Sequence, residues 1–370
     1  MTKHLVLVGA GHAHLEVLRR FAEQPPPGVS LTLIAREPTA LYSGMVPGVI
    51  AGELVPEAAA IPLAPLAQAA QARLLIDEAC GLDLAAGRVA RKAGDPVPFD
   101  LLSLDIGGVT DLSVPGAAEH AIPTRPLEGL VAKLAELDTL AQTGPKPMLI
   151  AVVGGGAAGC ELALALSTRF GLDAQVTLNA RTESCLPGFP AAAARRVENT
   201  LIDRVGRVAA GSAVVEVMGP FLRRANGTLM RVDVVIWATG VAAPAWLAES
   251  GLPVDARGFV RVERTLRSVG DPRVFAAGDV AAIEGTAVPK AGVWAVRAGP
   301  VLAENLRRAL RGEPLRRWRP QRRALVLINA GFRRAIGIWG PFVFYGRWVW
   351  RWKDRIDRRF VARYRLPETV

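Results

Sequence analysis

Two glycine-rich turns, each leaving a short apolar strand and entering a helical stretch, constrain this chain more than any other feature. The first joins Leu5-Val6-Leu7-Val8 through Gly9-Ala10-Gly11-His12-Ala13-His14 to a helical pattern from Leu15 to Phe21, followed by a strand from Val29 to Ile34. The second joins Met148–Val153 through Gly154-Gly155-Gly156-Ala157-Ala158-Gly159 to an Ala/Leu-rich helix and a strand from Ala174 to Leu178. Both are strand, turn, helix, strand units, the βαβ pattern of a parallel sheet. Such a turn lets a diphosphate approach backbone N–H groups at a helix N-terminus, where the dipole favours negative charge and glycine removes the steric barrier. Gly9 and Gly11 meet that need in the first turn, with His14 standing where a third small residue would let helix and strand pack closely. The second turn has the full set, Gly154, Gly156 and Gly159. Two cradles 145 positions apart predict two nucleotide-binding domains and two dinucleotides rather than a short-period repeat.

The second strand of such a unit usually ends in an acid that holds the adenosine ribose. Here the first unit reads Ile34-Ala35-Arg36-Glu37, with Glu37 displaced, and the second reads Leu178-Asn179-Ala180-Arg181, with no acid. Arg181 is suited to a 2′-phosphate, which would favour NADPH; the alternative is a solvated surface arginine. Later strand ends carry Ala238-Thr239-Gly240 and Phe275-Ala276-Ala277-Gly278-Asp279. A carboxylate in the position of Asp279 can accept hydrogen bonds from a ribityl chain, and Gly278 lets that chain come near. Pro-rich stretches at 123–126 and 145–147 are candidate hinges.

The length of 370 residues suits two to three domains, and 51% hydrophobic with 21% charged residues excludes disorder and collagen-like repeats. The net charge of +11 is concentrated at one end. Residues 316–365 hold 15 Lys/Arg against Asp354 and Asp357, a balance of +13 that leaves about −2 elsewhere, and five of the eight Trp lie there too. Trp339 to Lys353 alternates aromatic and basic residues, with a helix-like stretch from Asp354 to Tyr364 after it. Trp and Tyr favour the headgroup level of a bilayer and basic residues an anionic surface, so this segment is expected to lie on a membrane. No run of 18 apolar residues predicts a spanning helix. The same composition can grip single-stranded nucleic acid, but no nucleic-acid motif accompanies it and no such partner is expected. A domain closing over the site, or a homodimer interface, is the remaining use of the tail.

Cys80, Cys160 and Cys185 lie far apart, so no disulfide framework is readable and a reducing cytosolic compartment fits. Cys160 abuts a helix N-terminus, where packing beneath the second turn accounts for it; Cys185 has no partner in sequence. His12 and His14 diverge at i, i+2 without a third ligand, and no metal is expected.

Taken in order, Gly9-x-Gly11, Leu104-Asp105-Ile106-Gly107, Gly154-x-Gly156-x-x-Gly159-x-Glu161, Ala238-Thr239-Gly240 and Phe275-Ala276-Ala277-Gly278-Asp279 resemble the FAD/NAD(P)-dependent pyridine nucleotide-disulfide oxidoreductases over residues 1 to about 310. Within them, Leu41-Tyr42-Ser43-Gly44-Met45-Val46-Pro47-Gly48, Pro289-Lys290-Ala291-Gly292 and the basic aromatic tail resemble the type II NADH dehydrogenase branch. They are closest to the flavoprotein module fused to selenide, water dikinase. The resemblance implies an FAD domain of residues 1–122 and 247–312, an NAD(P) domain at 123–246 and a docking region at 313–370. It implies FAD diphosphate at Gly9 and Gly11, the ribityl region at Asp279, and the isoalloxazine lined by Tyr42, Met45 and Pro47. Lys290 and Ala291 would sit at the flavin pyrimidine edge, NAD(P)H at Gly154, Gly156 and Gly159, and Glu161 near the nicotinamide. The implied activity is hydride transfer from NAD(P)H to FAD and onward transfer to a second acceptor, a quinone first. Neither flavin-side cysteine arrangement of the disulfide reductases is present, and Gly292 replaces the glutamine of the quinone-reducing branch. A ferredoxin- or rubredoxin-type reductase and a non-enzymatic flavin-binding protein are the alternatives. The expected location is cytoplasmic, peripheral on the inner face of the cytoplasmic membrane.

Overall fold

The computed structural model describes residues 2–204, 206–321 and 323–366. The elements that position the site are, in chain order, β1 (Lys3–Val8), α1 (His12–Glu23), β2 (Val29–Ala35), β3 (Ala72–Ile76), β4 (Leu101–Leu104), β5 (Ile122–Pro123), β6 (Met148–Val153), α2 (Ala157–Phe170), β7 (Ala174–Asn179), β8 (Arg207–Ala209), β9 (Val234–Trp237), β10 (Val274–Ala276), α3 (Gly292–Arg311), β11 (Val326–Asn329), β12 (Ala335–Trp339), β13 (Phe342–Gly346) and α4 (Arg347–Tyr364). The fold is α/β, with two five-stranded parallel sheets ordered β10-β4-β1-β2-β3 and β5-β9-β6-β7-β8. Both glycine-rich turns leave a central strand whose neighbours are reached in opposite directions, which opens a crevice at the strand's carboxyl end.

The strands read as continuous apolar runs because both faces are covered. In β1, Leu5 and Leu7 pack into the cluster that contains Val17, Leu18 and Leu302, while Val6 and Val8 pack with Val89, Phe99 and Leu252 on the other face. All four are at most 2% exposed. Each such side chain contributes about 1.5–3 kcal/mol, so a charge at Val6 would have to be buried at greater cost. Helix α1 crosses α3 closely: a side chain on Gly299 would come within 2.8 Å of Glu16 Cβ.

The carboxyl-terminal region differs from the alternating pattern read in its sequence. β11, β12 and β13 form an antiparallel meander, and α4 begins at Arg347, directly after Gly346 at φ 135°. Trp348, Trp350 and Trp352 therefore lie on a helix, where alternation splits them between faces. Val349, Lys353, Asp357, Phe360, Val361 and Tyr364 form the buried stripe. Trp348 and Trp352, one turn apart, face outward with Ile356.

Candidate functional site

The first turn is held from behind by side chains. Gly9, at φ 89°, donates to the Ile34 carbonyl at 2.8 Å, and Gly11 to the Asp105 carbonyl at 3.1 Å. Asp105 follows β4, and its Oδ2 accepts from the N–H groups of Ala13 (2.8 Å) and His14 (3.0 Å). It thereby caps α1 in place of an N-cap side chain, since Gly11 has none to offer. Burial pushes the Asp105 carboxyl up to about 7, against those two hydrogen bonds. A side chain on Gly278 would come 2.5 Å from Asp105 Oδ1, so the Gly278-Asp279 segment closes on the same carboxylate. Asp105 thus joins three motifs that are remote in sequence. The motif Leu104–Gly107 is legible in the sequence, but this role of Asp105 is not.

His14 lies wholly inside, beneath the turn, bonded to the Gly9 carbonyl at 2.6 Å through Nδ1 and to Ser103 Oγ at 2.8 Å through Nε2. Burial lowers its pKa to about 4, so the ring is neutral. A carbonyl can only accept, so Nδ1 donates and Nε2 accepts the Ser103 hydroxyl. The imidazole fills the place of a small residue by bracing strand and turn, and none of its surface is exposed. His12 is turned the other way. Its ring lies edge-on to Tyr42 at 5.6 Å, and its Nε2 is buried with no partner among the described residues.

Asp279 is ion-paired at 2.6 Å with Arg125, which arrives from the segment before β6 and was not anticipated from the sequence. Lys290 donates to the Ala281 carbonyl at 2.6 Å, with its ammonium 4.0 Å over the Phe259 ring, and burial lowers its pKa to about 8. Gly278, Asp279, Lys290, Ala291 and Trp294 line one hollow. Ala291 caps the amino end of α3, and Gly292 brings that end against Ser43 and His12. Glu37 is exposed beyond the end of β2.

The Tyr42–Gly48 loop is covered by the inner face of α4. Tyr42 donates to Asp357 Oδ1 at 3.1 Å and stacks on Phe360 at 4.3 Å, and Lys353 donates to the Gly44 carbonyl. Met45 and Pro47 are buried there, Met45 at the amino end of the short helix Val46–Ile50 and Pro47 within it. Lys353 also pairs with Asp357 at 2.7 Å. Glu161, at the start of α2, is half-buried, accepts the Asn329 N–H at 2.6 Å and interacts electrostatically with Lys353. Burial pushes Glu161 up to about 7, against the pull of Lys353. Two carboxyl groups around one ammonium leave one of them able to hold a proton near neutrality. A second crevice, lined by Gly44, Met45, Glu53, Trp350, Lys353 and Asp357, opens along α4 beside this cluster. Nothing in the sequence brought Lys353 and Asp357 to the site, because their register depends on where α4 begins.

The second turn is more open. Gly154, at φ 134°, donates to the Asn179 carbonyl at 2.9 Å, and a side chain on Gly159 would drive into the Gly154 carbonyl oxygen. No described atom lies within 4 Å of where a Gly156 side chain would begin. Asn179 Oδ1 is buried without a partner among the described residues, and Arg181 and Gly240 are exposed at the neighbouring strand ends. Each turn therefore has one orphaned buried polar atom beside it, His12 Nε2 or Asn179 Oδ1, together with backbone that admits no side chain. That donor set fits two dinucleotides. Cys160 and Cys185, far apart in sequence, both lie beneath this turn, Cys160 Sγ facing the Gly155 carbonyl at 3.6 Å and Cys185 Sγ the Ala194 carbonyl at 3.8 Å.

Comparison with known proteins agrees with this architecture. Residues 3–299 match the pyridine nucleotide-disulphide oxidoreductase family. Among relatives, the chain is 30% identical over 267 residues to an alternative NAD(P)H-ubiquinone oxidoreductase C1 of Arabidopsis thaliana, covering 65% of this chain and 51% of that protein. It is 28% identical over 291 residues to the demethylphylloquinone reductase NdbB of Synechocystis, covering 75% and 69%. The chain thus spans about half the length of the Arabidopsis relative. Its fold matches that of NDH2 from Plasmodium falciparum in complex with NADH at a TM-score of 0.82 and 14% identity, over 98% of both chains. The fold class and family expected from the motif order are borne out: the chain belongs to the pyridine nucleotide-disulphide oxidoreductase family.

Proposed function

We propose that this protein is an FAD-dependent NAD(P)H dehydrogenase that delivers electrons to a quinone at an anionic membrane surface. The observation that carries this reading is the Glu161, Lys353 and Asp357 cluster, lying between the Tyr42–Gly48 segment and a helix whose outer face is aromatic and basic. Bound at the first turn, FAD supplies the hydride acceptor for NAD(P)H and the electron donor for the quinone. The protein contributes placement above all. Gly9, Gly11 and the amino end of α3 receive the dinucleotide, with His12 Nε2 as a donor or acceptor and Asp279 held by Arg125. Gly154, Gly156 and Gly159 receive NAD(P)H. Quinone reduction consumes two protons with two electrons, and Glu161, poised near neutrality, holds one beside the second crevice. Lys353 holds Asp357 and the Gly44 carbonyl in place.

The outer face supports the membrane part of the reading. Trp339, Phe342, Trp348, Trp352 and Ile356 are 39–62% exposed, and Arg347, Arg351, Arg355 and Arg359 surround them. No helix among the described residues is long and apolar enough to cross a membrane, so the contact would be peripheral, on the inner face of the cytoplasmic membrane. Each arginine at an anionic surface contributes about 1 kcal/mol, so Arg351→Gln with Arg355→Gln should weaken pelleting with phosphatidylglycerol vesicles about 10–30-fold. Unchanged pelleting would remove the membrane from the proposal.

Anaerobic stopped-flow mixing of the purified yellow protein with NADH or NADPH, followed by a water-soluble quinone, tests the electron path. Rapid bleaching followed by quinone-dependent recovery is expected. Protein purified without flavin, or flavin that neither nucleotide bleaches, refutes it; recovery with an acidic iron–sulfur protein alone favours the soluble-acceptor alternative. Glu161→Gln should slow the quinone step about 100-fold and remove its pH dependence around 7, while flavin bleaching keeps its rate.

A further inference from the structure

Two thiols beneath the second turn have no part in that electron path. Cys160 follows Gly159 at the start of α2, and Cys185 lies 25 residues on, in the loop after β7; both are free and have no exposed surface. The fold brings them to the two sides of one peptide group. The Gly155 carbonyl faces Cys160 Sγ at 3.6 Å and accepts the Leu186 N–H at 2.7 Å. A side chain on Gly155 would come 3.7 Å from Cys185 Cα, so turn and loop are already in contact. Cys185 Sγ faces the Ala194 carbonyl at 3.8 Å, and the influence of each thiol on the other raises the pKa of Cys160 and lowers that of Cys185. Arg181 to Ser184 are exposed, which places Cys185 one residue inside the solvent-facing part of its loop.

We propose that Cys160 and Cys185 form an oxidisable dithiol that closes to a disulfide under peroxide and restrains nucleotide binding at the second turn. The Cys185 thiolate attacks one peroxide oxygen, breaking the O–O bond to give a sulfenic acid and, with a proton, water. The Cys160 thiolate then attacks the sulfenic sulfur, the S–S bond forms, and hydroxide leaves with the proton of Cys160 as a second water. Two S–H bonds are lost, peroxide takes two electrons and two protons, and a dithiol reductant reverses the change. Closing the bond draws the two sulfurs to the covalent distance of about 2.05 Å. That movement falls on the Gly154–Gly159 turn and the 181–190 loop, the two walls of the proposed nucleotide site. The kinetic consequence rests on the reading that this turn receives NAD(P)H; the bond itself does not.

The test uses full-length, flavin-loaded Cys80→Ser protein treated with hydrogen peroxide, then catalase. Thiols are counted after unfolding in guanidinium, and peptides are mapped without reduction. Two thiols before and none after are expected, with the peptides of Cys160 and Cys185 joined. The KM for NADH should rise at least about fivefold and return with dithiothreitol, since displacements near 1 Å at such sites can cost about 100-fold. Cys160→Ala and Cys185→Ala should each abolish the change in KM on treatment, and a protein in which only one of the two folds still decides this. Two thiols remaining after treatment, or separate sulfinic acids on unjoined peptides, overturn the dithiol. A joined pair with unchanged KM overturns the restraint, and a Gly159→Val protein that still uses NADH normally traces that failure to the nucleotide assignment instead.

Discussion

Gly9–His14 and Gly154–Gly159 leave central strands that pair with their neighbours over the same six positions, Lys3↔Val29 to Val8↔Ile34 and Met148↔Ala174 to Val153↔Asn179, yet the two turns are finished differently. The first has a buried imidazole bracing it, a carboxylate spending itself on two amides of α1, and the Gly278-Asp279 segment pressed against that carboxylate. The second has no charged cap, open space at Gly156 and two thiols underneath. A turn fixed by tertiary hydrogen bonds suits a group that stays, while an open turn suits one that arrives and leaves. That contrast is what the proposed division between resident FAD and exchanging NAD(P)H requires.

The strongest way to break the comparison is to spoil each turn separately. Gly9→Val places a branched side chain at φ 89° and into the Asp105 backbone, so the protein should purify with little flavin. Gly159→Val drives α2 away from the Gly154 carbonyl. It should keep its flavin while kcat/KM for NADH falls by about 100-fold or more. Absorbance at 450 nm and steady-state kinetics separate the two. If both variants lose flavin, or neither does, the turns do not divide the labour.

Much of this contrast was open to inspection in the sequence, and its limits are physical. The strand runs and glycines announce two cradles because backbone approach and two-sided burial leave direct marks on residue choice. Asp105 did not announce itself, because its role depends on β4 lying beside β1, a pairing that joins residues about 100 apart. Sequence gives the position of His14 in the turn but not the side-chain direction that sets its ring on the Gly9 carbonyl and Ser103. At the carboxyl end, Trp348, Trp350 and Trp352 alternate as a strand would, whereas Val349, Lys353, Asp357 and Phe360 recur at helical spacing and bury one face. The buried stripe decided, because only a helix can set Lys353 on the Gly44 carbonyl and Asp357 on Tyr42 together.

The carboxylate gives the first turn a pH dependence of its own. Asp105 is pushed from 3.8 to about 7 by burial. Its contribution to folding is therefore complete below about pH 4 and is lost as pH rises through 7, where the buried group must ionise. An ionised Asp105 also repels a diphosphate. Flavin affinity should accordingly fall about tenfold between pH 6 and pH 8, the order expected for one coupled ionisation, and Asp105→Asn should flatten that fall while keeping an oxygen for the Ala13 and His14 amides. Flavin release followed by fluorescence checks it. An equal slope in the variant would locate the pH response elsewhere.

The smallest expected effect concerns what the open turn reads beyond phosphate. The strand before the second loop ends at Asn179 and is followed by Ala180 rather than an acid, and Arg181 is exposed at the rim. An exposed ion pair contributes at most about 1 kcal/mol, which corresponds to about fivefold in binding. Arg181→Ala should therefore lower kcat/KM for NADPH about fivefold and leave NADH nearly unchanged, and the loss should shrink further in 0.5 M salt because the charge is screened. An unchanged NADPH/NADH ratio would make Arg181 a solvated surface residue. The second turn would then discriminate through its backbone and Asn179 alone, and nucleotide preference would have to be sought in the 181–190 loop that Cys185 anchors.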